Sequence, residues 1–291
     1  MSLNQTYSHG KKHASSMTSR GRKSKKLENI SKQRKKYPLL AENIVQTSDI
    51  ILEILDSRFI NETRNSEIES LIEKNNKKII YVFNKSDLID RDKVDKEHKQ
   101  LRPRVFVSCV EREGIKELRD KIKILAKRLE EHVDKRGIAT VGVVGYPNTG
   151  KSSVINLLSG RNASRVGSEA GFTKGIIKVK LTPEILLLDS PGIIPNHAYS
   201  TSESKALSQH TKLGARGYNQ VSNPSVVIAD LMREYSAVIE KFYNIDAKGD
   251  SDVLLETLGR RKNFLLKGNN IDEDKTARFI LKDWQEGKIR K

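Results

Sequence analysis

One stretch determines how the rest of the chain is interpreted: Ile138-Ala-Thr-Val-Gly-Val-Val-Gly145-Tyr-Pro-Asn-Thr-Gly-Lys-Ser152. Its first half is apolar and mostly β-branched, and its second half fits G-x-x-x-x-G-K-[ST], a loop that binds phosphates between a strand and a helix. Backbone N–H groups of such a loop surround the phosphates, the lysine pairs with their charge, and the last hydroxyl binds Mg²⁺. The predicted phosphate contacts are Asn148, Thr149, Gly150, Lys151, Ser152 and Ser153, and Ser152 is also predicted to bind Mg²⁺.

On both sides of this loop, apolar runs of strand length alternate with stretches of helical periodicity, as is typical of a mostly parallel sheet covered by helices. We therefore predict an α/β fold followed by an all-α C-terminal domain. The predicted strands are Ile50–Leu55, Ile79–Phe83, Val105–Ser108, Ile138–Val144, Ile176–Leu181 and Ile185–Leu188. The predicted helices are Glu67–Lys74, Ile115–Glu131, Lys151–Leu158, Val226–Phe242, Asp252–Leu258 and a last helix between Asp272 and Gly287, with Ala277, Ile280, Leu281 and Trp284 on one face.

A carboxylate suited to ordering Mg²⁺ follows the last predicted strand, in the sequence Asp189-Ser-Pro-Gly192. If this strand neighbours the strand of the phosphate loop, Asp189 lies beside the phosphates and binds Mg²⁺ through water, while Gly192 contacts a phosphate. Asp246-Ala-Lys-Gly249 has the same D-x-x-G spacing, but it follows a helix in a polar loop. We reject the second match.

A second direct ligand to Mg²⁺ is assigned to Thr173, which stands 22 residues after the loop lysine in a stretch that contains Gly and Ser. Such a segment can become ordered around a terminal phosphate. The alternative is an ordinary threonine that enters the strand at Ile176.

The base is predicted to be read by Asn84-Lys-Ser-Asp87, which ends another strand. Guanine offers N1–H and a 2-amino group to one carboxylate, whereas adenine offers neither donor, so Asp87 favours guanine. Asn84, Lys85 and Asp87 are therefore assigned to guanine, together with Ser108 and Cys109, whose backbone N–H groups can meet the guanine O6. Seen alone, Asn84–Asp87 would be interpreted as a turn that caps a helix, and Cys109 as a small packed residue.

The order of these motifs indicates a circular permutation. GTP-binding domains ordinarily run from the phosphate loop through the switch threonine and D-x-x-G to N-K-x-D and the serine motif. In this chain Asn84–Asp87 and Ser108-Cys109 come first, followed by Gly145–Ser152, Thr173 and Asp189–Gly192. The cyclic order is kept and the starting point has moved, which a packed core tolerates when neighbouring termini are joined and a surface loop is cut.

With these motifs, residues 38–291 resemble the circularly permuted GTPases of the YlqF/YawG type. The resemblance also includes Asp56-Ser-Arg58, where the family tends to have D-A-R, Thr63-Arg-Asn65, and the C-terminal stretch from Lys267 to Lys288. It implies a circularly permuted P-loop G domain, GTP and GDP as ligands, and a role in assembly of the large ribosomal subunit, with ribosomal RNA or that subunit as partner. Two departures are Asn269-Asn270, where a glycine pair is more typical, and the basic N-terminal arm.

The group that orients the attacking water is not identified by the sequence. Many GTPases place a glutamine directly after D-x-x-G, but here the residue is Ile193, whose side chain forms no hydrogen bond with water. We therefore predict slow intrinsic hydrolysis that a partner stimulates. Asn148 resembles the asparagine that coordinates K⁺ in potassium-activated GTPases, so K⁺ is an expected activator; the alternative is a polar loop residue that satisfies its own backbone.

The excess of positive charge is concentrated in the first 36 residues. They carry eleven Lys or Arg and one acidic residue, out of 54 and 37 in the whole chain, whose net charge is +17. With few large apolar residues, this arm is predicted to be disordered when free and to contact RNA phosphates, and the alternative is a solubilising tail. The arm residues assigned to RNA are Lys11, Lys12, Arg22, Lys23, Lys25, Lys26, Arg34, Lys35 and Lys36.

A second basic group brackets a predicted loop of the C-terminal domain: Arg260, Arg261, Lys262 and Lys267. It is a candidate contact for the RNA backbone, which carries no sequence code, and the alternative is an ordinary solvated face. No paired aromatic residues of the kind that stack on single-stranded bases accompany it.

The predicted organisation is a basic arm over 1–36, a permuted GTPase domain over 37–194, a linker coupled to the switch over 195–223, and a helical domain over 224–291. A cytoplasmic location is expected, since Cys109 is the single cysteine and neither a membrane span nor a signal peptide is evident. No sequence feature indicates an oligomeric state. Two alternatives to an assembly GTPase stay open, namely a GTP-regulated RNA-binding scaffold or adaptor with incidental hydrolysis, and a P-loop ATPase or kinase in which Asn84–Asp87 is a plain turn.

Overall fold

The structure is a computed structural model that describes residues 39–129, 137–160, 165–166, 177–190, 203–214 and 216–290. The predictions for the arm, for Thr173, and for Gly192 and Ile193 concern residues outside these ranges.

A seven-stranded sheet forms the centre of the first domain, in the order β3-β2-β1-β4-β7-β6-β5. The pairs among β3, β2, β1, β4 and β7 are parallel, while β6 is antiparallel to both β7 and β5. The predicted α/β class with a mostly parallel sheet is confirmed. The strands are β1 (Ile50–Asp56), β2 (Lys78–Asn84), β3 (Arg104–Val107), β4 (Ala139–Gly145), β5 (Arg165–Val166), β6 (Ile177–Thr182) and β7 (Ile185–Asp189).

Helices cover the sheet and form the C-terminal region. In the sheet domain they are α1 (39–47), α2 (Ile60–Thr63), α3 (Ser66–Lys74), α4 (Arg91–Glu97), α5 (Ile115–Leu129) and α6 (Lys151–Ser159). After the sheet come α7 (Glu203–Lys212), α8 (Pro224–Tyr243), α9 (Ser251–Arg261) and α10 (Glu273–Gln285). Among the described residues, no helix combines the length and the apolar character that crossing a membrane requires.

Burial explains why the central strands have few polar residues. All seven residues of β1 are buried, because helices cover both faces of the sheet. Helix α10 shows the matching pattern for a helix: Ala277, Ile280, Leu281 and Trp284 are each at most 1% exposed, as predicted from their spacing. The Asp272 carboxylate caps this helix by accepting from Lys275 N at 3.0 Å.

The segment over 195–223 that was predicted to be a linker contains α7, a helix that the sequence analysis did not predict. Contacts with the end of α10 hold the C-terminal end of α7. The Trp284 Nε1–H donates to Lys212 O at 3.0 Å, and Gln285 Nε2 donates to Thr211 O at 2.9 Å. Ser208 and Thr211 are buried in this packing. Because the buried positions are polar, the sequence lacked the apolar period on which helix prediction depends.

Candidate functional site

The polar ends of four neighbouring strands meet at one edge of the sheet. In the parallel registers Asp56 pairs with Asn84, Ile54 with Gly145, and Val143 with Asp189. The strands of the phosphate loop and of Asp189 are therefore direct neighbours, as required for the predicted Mg²⁺ ligand. Ligands of open α/β sheets bind at this carboxyl edge.

The phosphate loop joins β4 to α6 in a conformation that depends on its glycines. Gly145 has φ of 151° and Gly150 has φ of 98°. A Cβ at Gly145 would lie 2.4 Å from Ile54 O, and one at Gly150 would lie 2.1 Å from Asn84 Nδ2, so neither position has room for a side chain. Thr149 is buried, and its hydroxyl donates to Tyr146 O at 2.9 Å.

Lys151 and Asp189 place opposite charges on either side of the loop. Lys151 is 7% exposed, and its Nζ donates to Gly145 O at 3.1 Å and to Tyr146 O at 2.9 Å. Burial lowers the pKa of Lys151 to about 8, against the smaller opposing effect of the Asp189 charge. Ser152 and Ser153 occupy exposed positions in the first turn of α6, whose N–H groups can bind an anion.

Asn84 links the predicted guanine motif to the phosphate loop. Its Nδ2 donates to Thr149 O at 2.7 Å, which joins residues that are 65 positions apart. Its Oδ1 is buried and accepts no hydrogen bond from the described part of the chain. A buried amide oxygen without a donor indicates a position that a ligand donor can occupy.

Asp87 and Ser108 form the other half of the guanine motif. Ser108 Oγ donates to Asp87 Oδ1 at 2.7 Å and accepts from Glu111 N at 3.1 Å, so the serine fixes the carboxylate against the turn after β3. Burial raises the pKa of the neighbouring Cys109 thiol to about 11, which favours a packed residue over a reactive thiolate. The sequence analysis assigned Ser108 to guanine but did not foresee that it holds Asp87.

The motifs thus converge in the permuted order, and comparisons with known proteins agree. A protein named as an uncharacterised GTP-binding protein of Methanocaldococcus jannaschii is 36% identical over 262 residues, which cover 88% of this chain and 67% of that protein. The crystal structure of GNP-bound YlqF from T. maritima has a TM-score of 0.60 at 20% identity, over 86% of this chain and 93% of that one. The chain belongs to the circularly permuted GTPases of the YlqF/YawG type.

Two further comparisons concern a protein-family model and a eukaryotic relative. A family model described as a 50S ribosome-binding GTPase matches residues 140–256. Nucleolar GTP-binding protein 2 of Pneumocystis carinii is 32% identical over 253 residues, which cover 84% of this chain and 51% of that protein. The chain therefore spans about half the length of this eukaryotic relative.

Two charged residues that the sequence analysis did not assign to the site, Asp56 and Arg58, lie at this edge of the G domain beside Lys85. Asp56, at the end of β1, is 1% exposed, and its carboxylate accepts from Arg58 Nη2 at 2.8 Å and from Lys85 Nζ at 2.7 Å. The signal available in the sequence was the D-S-R triplet at the end of the predicted strand Ile50–Leu55.

The phosphate loop also contacts the helical region of the permuted GTPase. Asn148 Nδ2 donates to Gly214 O, in the turn after α7. Tyr146, two residues before Asn148, is 2% exposed, and the centre of its ring lies 6.1 Å from that of His210 in an edge-to-face arrangement. It belongs to the same apolar cluster as Leu231 and Trp284. The nucleotide loop and the C-terminal helices therefore share one core.

The predicted basic group of the C-terminal domain has partners within that domain. Arg260 pairs with Glu256, Arg261 Nη1 donates to Tyr243 O at 2.6 Å, and the Lys262 ammonium lies 5.4 Å from the centre of the Phe279 ring. Lys267 is exposed in the loop that follows. These residues form a group separate from the nucleotide site.

Proposed function

We propose that this chain binds GTP with Mg²⁺ and hydrolyses it slowly to GDP and phosphate, as a switch for binding ribosomal RNA in the large ribosomal subunit. The observation that carries the GTP assignment is the joint geometry of Asp87 and Asn84. Ser108 holds the first and Thr149 O holds the second, each through a 2.7 Å hydrogen bond. The two side chains proposed to contact the base are therefore held beside the phosphate loop by hydrogen bonds within the protein.

Base recognition follows from donors and acceptors. The Asp87 carboxylate accepts from guanine N1–H and the 2-amino group, whereas an adenine offers no donors to it at these positions. This arrangement favours GTP over the alternative of a P-loop ATPase or kinase, in which Asn84–Asp87 would be a plain turn.

The residues at the phosphate end fit a magnesium nucleotide. Mg²⁺ prefers oxygen ligands and is commonly held by one or two side chains together with substrate phosphates. Ser152 and Asp189 supply such oxygens, and the described residues contain no cluster of three metal-binding side chains that would hold an ion alone. Thr173 as second ligand and Gly192 as phosphate contact stay part of the proposal. When bound, Mg²⁺ neutralises charge that develops on the phosphates.

Hydrolysis is expected to be slow because Ile193 stands where other GTPases have a water-orienting glutamine. K⁺ is proposed as an activator that binds Asn148, whose amide oxygen is a suitable ligand type. Equal turnover in K⁺ and Na⁺ would remove this part of the proposal.

Ribosomal RNA and the large subunit are proposed as partners on the basis of the relatives' names and the matched family model. The basic arm and the C-terminal group of Arg260, Arg261, Lys262 and Lys267 are the proposed phosphate contacts. The first test is GTP turnover with and without large ribosomal subunits, at constant K⁺ and Mg²⁺. Strong stimulation supports the assembly GTPase. No stimulation, with nucleotide-dependent subunit binding retained, favours the RNA-binding scaffold, and no subunit binding removes the ribosomal assignment.

The proposed switch is that GTP orders residues 171–173 and 192–194 and thereby selects one arrangement of the C-terminal helices. Two contacts support it, since Asn148 and Tyr146 of the phosphate loop both touch the helical region. Small-angle scattering profiles that are identical with GDP and with a non-hydrolysable GTP analogue, on and off RNA, would contradict the switch. The cytoplasmic location stays a prediction; the name of the Pneumocystis carinii relative places that protein in the nucleolus.

A further inference from the structure

The turn after β1 is fastened to the guanine motif at the end of β2 by three hydrogen bonds. Ser57 N and Ser57 Oγ donate to Asn84 O at 2.9 and 2.7 Å, and Lys85 Nζ donates to Asp56 Oδ2 at 2.7 Å. Lys85 stands between the two base-reading residues of the motif, so whatever holds its side chain also limits how that motif can move.

Lys85 is unusual in both backbone and side chain. Its φ of 62° is left-handed, which a residue with a Cβ adopts only when its surroundings require it. Its side chain is 24% exposed, and the ammonium reaches a carboxylate that is 1% exposed. The alkyl chain of Lys85 is therefore drawn inward, across the ends of two neighbouring strands, instead of extending into solvent.

The Asp56 carboxylate is held in its charged form by two cations. Burial alone would raise the pKa of Asp56, but the hydrogen bonds and charge of Arg58, followed by those of Lys85, lower it to about 2. Arg58 N and Nε both donate to Oδ1, at 3.1 and 3.0 Å, and Nη2 donates to Oδ2. One oxygen is thus committed to Arg58, and the other is shared between Arg58 and Lys85.

Arg58 is in turn fixed by the C-terminal helices. It is 8% exposed, and its Nη1 donates to Trp284 O at 3.1 Å, near the end of α10. A charge network whose members are all hydrogen-bonded is rigid, whereas one that loses a member leaves a buried charge unpaired. Asp56 therefore has a fixed position from which it can orient Lys85.

We propose that Asp56 is a positioning residue for guanine-nucleotide binding, because its carboxylate anchors the Lys85 ammonium and thereby sets the alkyl chain of Lys85 beneath the base. This inference rests on the proposed GTP site and deepens it. Asp56 does not touch the nucleotide itself. Asp56 acts at the base end of the site, so it raises the affinity for GDP and for GTP equally. The rate at which bound GTP is hydrolysed does not depend on it.

The experiment is a double-mutant cycle on the full chain, read by equilibrium binding of fluorescent GDP and of a non-hydrolysable GTP analogue. The variants are Asp56→Asn, Lys85→Met and their combination. Lys85→Met keeps the length of the side chain and removes the anchored ammonium. The matched control is Asp49→Asn, at the opposite end of the same strand, where the carboxylate accepts from Thr140 N at 2.8 Å.

Asp56→Asn and Lys85→Met are each expected to weaken both nucleotides by about tenfold, as the loss of one charge-assisted hydrogen bond predicts. Single-turnover hydrolysis at saturating GTP stays unchanged in Asp56→Asn, which separates a loss of affinity from a loss of catalysis. In the Lys85→Met background, Asp56→Asn weakens binding by less than about twofold further. Asp49→Asn leaves the affinity unchanged. The proposal is overturned if Asp56→Asn leaves nucleotide affinity unaltered. It is also overturned if Asp56→Asn lowers the affinity by the same factor in wild type and in the Lys85→Met background. A wild-type chain that binds neither nucleotide overturns the GTP site as well.

A second measurement does not require Asp56→Asn to fold. In nitrogen-labelled wild-type protein with GDP bound, the Lys85 ammonium signal is identified by its loss in Lys85→Met. An ammonium anchored to a buried carboxylate exchanges slowly with water and is observed as a separate signal. A Lys85 ammonium that exchanges as fast as those of exposed lysines overturns the anchoring.

Discussion

The guanine end and the phosphate end of the site differ in the hydrogen bonds that their key side chains make. At the guanine end, Asp87 and Asn84, the residues proposed to contact the base, are held by hydrogen bonds with Ser108 Oγ and Thr149 O. At the phosphate end, the Lys151 ammonium donates to Gly145 O and Tyr146 O of its own loop. A phosphate must take the place of those carbonyls.

Because of this difference, we expect the two ends to contribute to nucleotide affinity in different ways. Preformed geometry lets the base bind without rearranging its readers, so selectivity is a property of fixed positions. The phosphate end exchanges existing hydrogen bonds of a buried cation for stronger ones to an anion, so its contribution depends on charge and on pH. Substitutions at the two ends are therefore expected to have different signatures.

The largest effect is expected from Asp87→Asn at the guanine end. The amide offers a donor where guanine also offers donors, and it matches the oxygen of xanthine at that position. The preference between GTP and XTP should shift by about a thousandfold towards XTP, since sites built to bond a particular group discriminate strongly. The measurement is competition of the two nucleotides against a fluorescent probe.

Asp90→Asn is the control for Asp87→Asn. Asp90 lies three residues later and its carboxylate accepts from Lys93 N at 3.2 Å as the N-cap of α4, outside the site. It should leave the preference for GTP unchanged. A site that still prefers GTP over XTP after Asp87→Asn would show that the base is read elsewhere.

At the phosphate end, Lys151→Met is expected to weaken GTP and XTP alike, by about a hundredfold, because a cation that bonds phosphate oxygens is lost whatever the base. The buried methionine fits an apolar environment better than an ammonium does, so the variant should fold. Lys121→Met, which removes an exposed lysine that pairs with Glu117, is the control. If Lys151→Met bound GTP as tightly as wild type does, the assignment of Lys151 as a phosphate contact would be contradicted.

The lowered pKa of Lys151 gives the phosphate end a pH dependence of its own. In the nucleotide-free protein the pKa of Lys151 is lowered to about 8, and a bound phosphate favours the charged form of the lysine. Nucleotide binding above pH 8 therefore takes up a proton. GDP affinity should fall as the pH rises from 8 to 9, by at most about tenfold. Ionisation of the base lowers the affinity of wild type and of Lys151→Met equally. The additional fall in GDP affinity that only wild type shows between pH 8 and pH 9 therefore measures the contribution of the Lys151 proton. Identical pH profiles would contradict this assignment.

The positions of many candidate-site residues could be predicted from the sequence, because these residues follow or end buried strands. Asn84 and Asp189 end apolar runs, and in a parallel sheet such ends meet at one edge whatever the remaining packing. The role of Asp56 could not be obtained in this way, because its partners Arg58 and Lys85 reach it through side-chain geometry that only the folded turn defines.

The C-terminal part of the fold shows the same limit. Helix α10 was predictable from its apolar face and its cap, whereas α7 presents Ser208 and Thr211 to the interior and depends on bonds from Trp284 and Gln285. The contact between Asn148 and Gly214 O joins segments 66 residues apart, and neither residue type indicates a partner. Tertiary contacts of polar groups leave no periodic pattern in the sequence.

The smallest effect is expected from Ser108→Ala, which tests whether the guanine end is preformed. Removing the hydroxyl frees the Asp87 carboxylate to adopt other rotamers and leaves Glu111 N without its acceptor. GDP affinity should fall by about fivefold, because the Asp87 carboxylate loses one neutral donor but keeps the donors of the guanine base. In an Asp87→Asn background the same change should matter less, because the bond that it removes is weaker there. The control is Ser70→Ala, which removes a hydroxyl that donates to Ser66 O on the exposed face of α3. If Ser108→Ala weakened GDP as strongly as Asp87→Asn does, the serine would be reading the base directly, and the carboxylate would not be preformed but assembled on binding.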